Sequence, residues 1–182
     1  MDWNKVISGL LVLMILVPAG GQSLEAGLNY YAGLAHSQGF EPGSNGLSLD
    51  IAWLNCISEN FQVLGGMEFG FTGWGNQVLV PLAARWGKDH QVELEILNGM
   101  ALYRQGPHYV GGAGAAWVYT FFRQKRHRLV VLAGLRFSVQ PGYRDVSSIY
   151  SYLDLPLKVR WQFGKSAQRR MGHEDQLNEL SH

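Results

Sequence analysis

From Ile149 to Lys165 the chain reads IYSYLDLPLKVRWQFGK, and its two-residue alternation limits what the rest can fold into. Ser151, Leu153, Leu155, Leu157, Val159, Trp161 and Phe163 fall on one face, and Tyr152, Asp154, Pro156, Lys158, Arg160 and Gln162 on the other. Successive side chains of a β-strand point to opposite sides, so this is a strand with one apolar and one polar face. Such a strand belongs to a closed barrel, with its apolar face either inside a soluble protein or against lipid.

The same pattern recurs upstream. It predicts strands over Leu24–Ala35, Gly46–Ile57, Phe61–Thr72, Gln77–Trp86, Gln91–Tyr103, Tyr109–Phe122 and Arg128–Gln140, with the opening stretch as the eighth. Each is as long as the ~9–11 residues that cross a bilayer at a tilt, or longer. The links Ser58–Asn60, Gly87–His90 and Arg123–His127 are short and polar. They alternate with the longer His36–Asn45, Gly73–Asn76, Arg104–His108 and Pro141–Ser148. This is hairpin order, and it predicts an all-β, eight-stranded, antiparallel up-and-down transmembrane barrel over residues 24–164. Bacterial barrels keep short turns and both termini on the periplasmic side, so the Gly/Pro-rich links His36–Asn45 and Pro141–Ser148 are expected to face outward.

Composition decides which face meets water. In a lipocalin-like soluble barrel the second face would be solvated, yet it carries Gly27, Gly33, Gly66, Gly70, Gly99, Gly112, Gly114 and Gly134. Glycine weakens a solvated strand but suits a narrow interior. Only 16% of residues are charged, whereas glycine numbers 23, a balance suited to an exterior that is not water. A mean hydropathy of −0.05 excludes a bundle of membrane helices. The apolar face also carries aromatics near the strand ends, at Trp53, Phe61, Phe69, Phe71, Trp86, Tyr109, Tyr119, Phe121, Trp161 and Phe163. Aromatic girdles at both interfaces are the mark of a membrane barrel.

With the apolar face outward, the lumen receives Glu25, Asp50, Glu68, Glu93, Glu95 and Asp154 together with Arg85, Arg136, Lys158 and Arg160. Eight strands leave an interior that side chains just fill, so these groups are expected to pair into a salt-bridged plug. A conducting path is not expected.

Residues 1–21 read as a signal peptide: Lys5 precedes the apolar run Val6–Val17, and Ala19 and Gly21 fit the small positions of a cleavage site. No Cys follows that run, so lipoprotein processing is not expected. Residues 165–182 are polar and too short for a domain, which predicts a disordered tail or a short periplasmic helix.

The phrases Val80-Pro81-Leu82, Trp86-Gly87-Lys88-Asp89-His90, Glu93-Leu94-Glu95 and Tyr152-Leu153-Asp154-Leu155-Pro156-Leu157 carry a family likeness. The chain resembles the small outer-membrane β-barrels typified by OmpA and OmpX, and most the type common in Bacteroidota. The resemblance implies the fold and a bacterial outer-membrane location, since the group has no single activity; the leading expectation for function is a non-catalytic barrel acting in envelope structure or surface contact through its outside loops. The resemblance also implies outer-membrane lipid and lipopolysaccharide around the barrel, the barrel-assembly machinery during insertion, and a monomer. The family's usual ending places an aromatic residue at the C-terminus, whereas Phe163 here is followed by Gly164–His182.

Signals for other chemistry are thin. Some barrels of this kind modify lipid A, which draws attention to His36, Ser37 and Glu41 in the first outside link, to Ser44, and to His108 in the third. Neighbours in sequence do not make a nucleophile and its base. His90 and His127 lie among Lys88, Arg123, Lys125, Arg126 and Arg128 at the turns, and default to solvated turn residues. Cys56 is the single cysteine, expected as a small buried apolar group. No metal-ligand spacing, phosphate loop or dinucleotide fingerprint is present, so neither metal nor cofactor is expected. A net charge of +1 gives no reason to expect nucleic acid.

Overall fold

The computed structural model describes residues 23–36, 45–58, 60–72, 75–88, 90–103, 106–123, 127–141 and 149–164. The expected signal peptide and polar tail lie outside them, as do Ser37, Glu41, Ser44, Lys125 and Arg126. Eight strands follow in chain order: β1 (Ser23–His36), β2 (Gly46–Ser58), β3 (Phe61–Thr72), β4 (Gly75–Gly87), β5 (His90–Tyr103), β6 (Gly106–Arg123), β7 (His127–Pro141) and β8 (Ile149–Gly164). Each pairs antiparallel with its neighbour in sequence, and β1 pairs with β8 from Ser23 opposite Gly164 to His36 opposite Tyr152. The sheet is therefore a closed barrel. Closure leaves no open sheet edge, the condition a sheet must meet in lipid.

Two of the expected long links leave only two residues between paired strand ends. β4 starts at Gly75, opposite Thr72, whose Oγ1 accepts from Gly75 N at 3.3 Å. β6 starts at Gly106, opposite Tyr103, and Gly106 holds a φ of +121° that side-chain-bearing residues rarely adopt. His108 thus lies inside β6, paired with Ala101, and His36 ends β1. The loop positions expected for both histidines are corrected accordingly. One rim, the loop end, carries the wide gaps between β1 and β2 and between β7 and β8. The other, the turn end, carries both strand-terminal residues Ser23 and Gly164.

Both prolines of the polar face sit where a ladder breaks. The β3–β4 register skips from Gly65–Leu82 to Glu68–Leu79 beside Pro81, and the β7–β8 register skips from Ala133–Leu157 to Arg136–Asp154 beside Pro156. Proline has no N–H to donate, so each break falls on the side where that donor is missing. On the opposite side pairing is continuous, with Pro81 facing Leu97 and Pro156 facing Tyr31.

The exterior is apolar around the whole circumference. Leu28, Leu49, Phe71, Ile96, Trp117, Leu135 and Val159 all stand exposed on it. The interior is not uniformly polar. Ala52, Leu54, Leu64 and Ala83 form one buried apolar cluster, Leu79, Leu97, Ala101 and Val110 a second, and Val118, Val130 and Leu132 a third. Cys56 packs against the first cluster and is only partly buried, because the β2–β3 register shifts beside it between Cys56 and Ser58.

Candidate functional site

Inward side chains fill the barrel, and the charged ones form two tiers. In the tier nearer the turn end, Arg85 of β4 reaches across to β1, where its Nη1 and Nη2 donate to the two carboxylate oxygens of Glu25 at 2.9 and 3.1 Å. Its Nε and Nη2 also donate to Glu93 Oε2 at 3.1 and 2.6 Å. Arg160 of β8 completes the tier, with Nε 2.5 Å from Asp50 Oδ2 and Nη1 3.4 Å from Glu93 Oε2 and 3.6 Å from Glu25 Oε2. The contact to Asp50 is an ion pair without the directed geometry of a hydrogen bond.

The second tier is built on Arg136 of β7. Its Nη1 and Nη2 each donate to a carboxylate oxygen of Glu68 at 3.0 Å, and its Nε donates to Glu95 Oε1 at 2.9 Å. Lys158 Nζ donates to the other oxygen of Glu95 at 2.8 Å. The Tyr31 hydroxyl donates to Glu68 while its ring lies under the Arg136 guanidinium, 4.8 Å from centroid to Cζ. Ser48 Oγ lies 2.8 Å from the same hydroxyl and accepts from Asn29 Nδ2 at 2.9 Å. All these charged groups are buried, and buried charges persist only when paired.

Two glycines make the room. A Cβ at Gly27 would lie 2.6 Å from Arg160 Cγ and 2.7 Å from Asp50 Oδ1, and one at Gly114 would lie 2.8 Å from Glu95 Oε1. The absence of a side chain at these positions lets long charged groups lie flat along the wall.

Asp154 stands apart from both tiers. It faces Arg136 in the β7–β8 register, but that guanidinium is committed to Glu68 and Glu95. Asp154 is buried, and among the described residues it makes no ion pair or hydrogen bond. The expected single network is therefore two tiers and an isolated carboxyl. Tyr31, Asn29 and Ser48 belong to the polar interior though residue charge did not single them out; their place on the polar face of the alternation was the signal.

On the outer wall the aromatics gather at the turn end. Phe61 packs on Trp86 at 5.1 Å, and Tyr119 meets Phe121 edge-on at 5.4 Å. Trp161 lies 6.4 Å from Phe163, and Trp53 stands on β2 in the same half of the barrel. The two turn histidines join this belt: His90 packs tilted on Trp117 and Tyr119 at 5.7 and 5.1 Å, and His127 lies tilted on Trp161 at 6.1 Å and edge-on to Phe163 at 5.8 Å. Phe69 and Phe71 stand exposed at the loop end of β3. Tyr109 behaves differently: its phenol lies over Gly111, where a Cβ would come within 2.8 Å of the hydroxyl, and donates to Asn98 Oδ1 at 2.5 Å. It thereby caps a polar amide on the outward face of β5.

His36 packs against Tyr150 at 5.7 Å, and His108 lies on β6 opposite Ala101. Among the described residues no group of three His, Cys, Asp or Glu is arranged to hold a metal. No protein-family model and no curated protein matches the chain. Among solved structures, the crystal structure of Neisserial surface protein A (NspA) is similar to it, with a TM-score of 0.58 and 12% identity, over 80% of this chain and 97% of that one. At that identity the likeness shows the fold, a closed eight-stranded antiparallel barrel.

Proposed function

We propose that this chain is an integral outer-membrane barrel of the OmpA/OmpX-like kind, with a plugged lumen and no catalytic role, acting in envelope structure or surface contact at its loop end. The observation that carries the reading is the inversion of the barrel: charges are buried and paired inside, while Leu28, Leu49, Ile96 and Leu135 are about half exposed outside, at 50–55%. A water-soluble protein rarely exposes a continuous apolar belt of this extent, whereas lipid covers one at no cost. The similar structure is that of a Neisserial surface protein, which supports this reading. In it, residues 1–21 are removed on export, and residues 37–45 and 142–148 face the cell exterior.

Membrane fractionation followed by a denaturing gel with and without boiling tests location and fold together. The expected result is an outer-membrane band that migrates faster unheated. Recovery of folded protein in the aqueous fraction without detergent would overturn the proposal.

A further inference from the structure

The isolated Asp154 is unusual in its surroundings. It is 7% exposed, on the inward face of β8, and the positions beside it are Gly33 of β1, which has no side chain, and Arg136 of β7, whose hydrogen bonds go to Glu68 and Glu95. Towards the loop end the same face continues through Tyr152 and Tyr150, two and four residues back along the strand, a spacing of about 7 Å per step. The Tyr150 and Tyr152 rings lie 5.9 Å apart, His36 lies 5.7 Å from the Tyr150 ring, and Gln140 Nε2 donates to the Tyr152 hydroxyl at 3.3 Å. A buried carboxyl that forms no ion pair or hydrogen bond among the described residues thus lies below a column of aromatic rings leading from the loop end.

We propose that this part of the lumen binds a small organic cation, an alkylammonium group, with Asp154 as its counter-charge and Tyr152 and Tyr150 supplying ring faces. Six acids face four bases in the interior, and Asp154 is the acid that makes no ion pair with either tier among the described residues. The chemistry favours an ammonium over a metal ion. A metal needs several converging oxygen or nitrogen ligands, and no such group exists among the described residues. An ammonium is satisfied by one carboxylate and aromatic faces. The site lies above the charge tiers, so it requires no passage through them.

The test is calorimetric titration of the full chain, folded in a maltoside detergent, with tetramethylammonium chloride against sodium chloride at equal ionic strength. The expected result is saturable one-to-one binding of tetramethylammonium that sodium does not reproduce. Asp154→Asn should abolish it, and Tyr152→Leu should weaken it about tenfold, the scale of a desolvated cation–π contact. Heat-modifiability confirms that each variant is folded, and Tyr150→Leu serves if Tyr152→Leu does not fold. No saturable heat, equal binding of sodium, or unchanged binding in Asp154→Asn would each overturn the proposal. None of these outcomes bears on membrane location, which the fractionation experiment reads separately.

Discussion

Arg136 and Glu68 join diametrically opposite walls of the barrel, β7 and β3, through two parallel hydrogen bonds of 3.0 Å. A bidentate guanidinium–carboxylate contact has one good geometry, so it sets the distance between the walls. Removing one partner leaves the other charge buried without compensation, at a cost of about 3–5 kcal/mol. Arg136→Met is therefore expected to lower the urea midpoint for unfolding in detergent, read by gel mobility without boiling. The double variant Arg136→Met/Glu68→Leu should recover part of the loss, and a single variant as stable as the parent would contradict the pairing.

The proposed plug, two tiers of paired charges across the interior, leaves no path for a steady ion current. In planar bilayers the unmodified protein should show no stable conductance steps. A reproducible step that Arg136→Met changes without destabilising the fold would remove the plug.

Ile96 lies near the middle of β5 on the outer face and is 55% exposed. If lipid surrounds it, Ile96→Arg should destabilise the folded barrel by about 2–4 kcal/mol, the range for a cation near the bilayer midplane. Urea titration in phospholipid vesicles measures this, and no change would place Ile96 in water.

Tyr109 and Asn98 give a subtler test on the same wall. Tyr109→Phe keeps the ring over Gly111 but leaves the Asn98 amide without its phenol partner, a loss of about 1–2 kcal/mol for a side-chain hydrogen bond in an apolar setting. Pairing it with Asn98→Leu should restore stability, because the polar group itself is then gone.

A methyl group at Gly27 would meet the Val159 carbonyl oxygen as well as Arg160 Cγ, each at 2.6 Å. The backbone oxygen cannot swing away, so Gly27→Ala is expected to cost about 1–3 kcal/mol through overpacking. Folding yield into detergent micelles, compared with the parent, reads the effect.

The barrel was legible in the sequence because a period of two ties every strand position to a face, and Leu153 to Phe163 state that period without interruption. The ends of strands were less legible. At Leu34, Ile57 and Phe121 the ladder takes one extra residue, after which the alternation changes phase, so single-strand reading loses its guide there. Proline and glycine near Gly75 and Pro107 suggested loops, yet both lie in strands whose register a neighbour holds. Which acid meets which base was beyond the sequence, since Arg136 reaches Glu68 across the lumen and leaves Asp154, its register neighbour, alone. The interior clusters around Leu54, Leu97 and Leu132 were missed because apolar side chains on the polar face carry no charge to draw attention.

Pairing of Ser23 with Gly164 sets an order on how the barrel is made. The first strand to leave the ribosome has to wait for the last before its second edge is satisfied, and in hydrocarbon each unmet backbone group costs several kcal/mol. Strand-by-strand entry into lipid would expose such an edge at every stage, so in the proposed membrane setting the barrel is complete only when β8 meets β1.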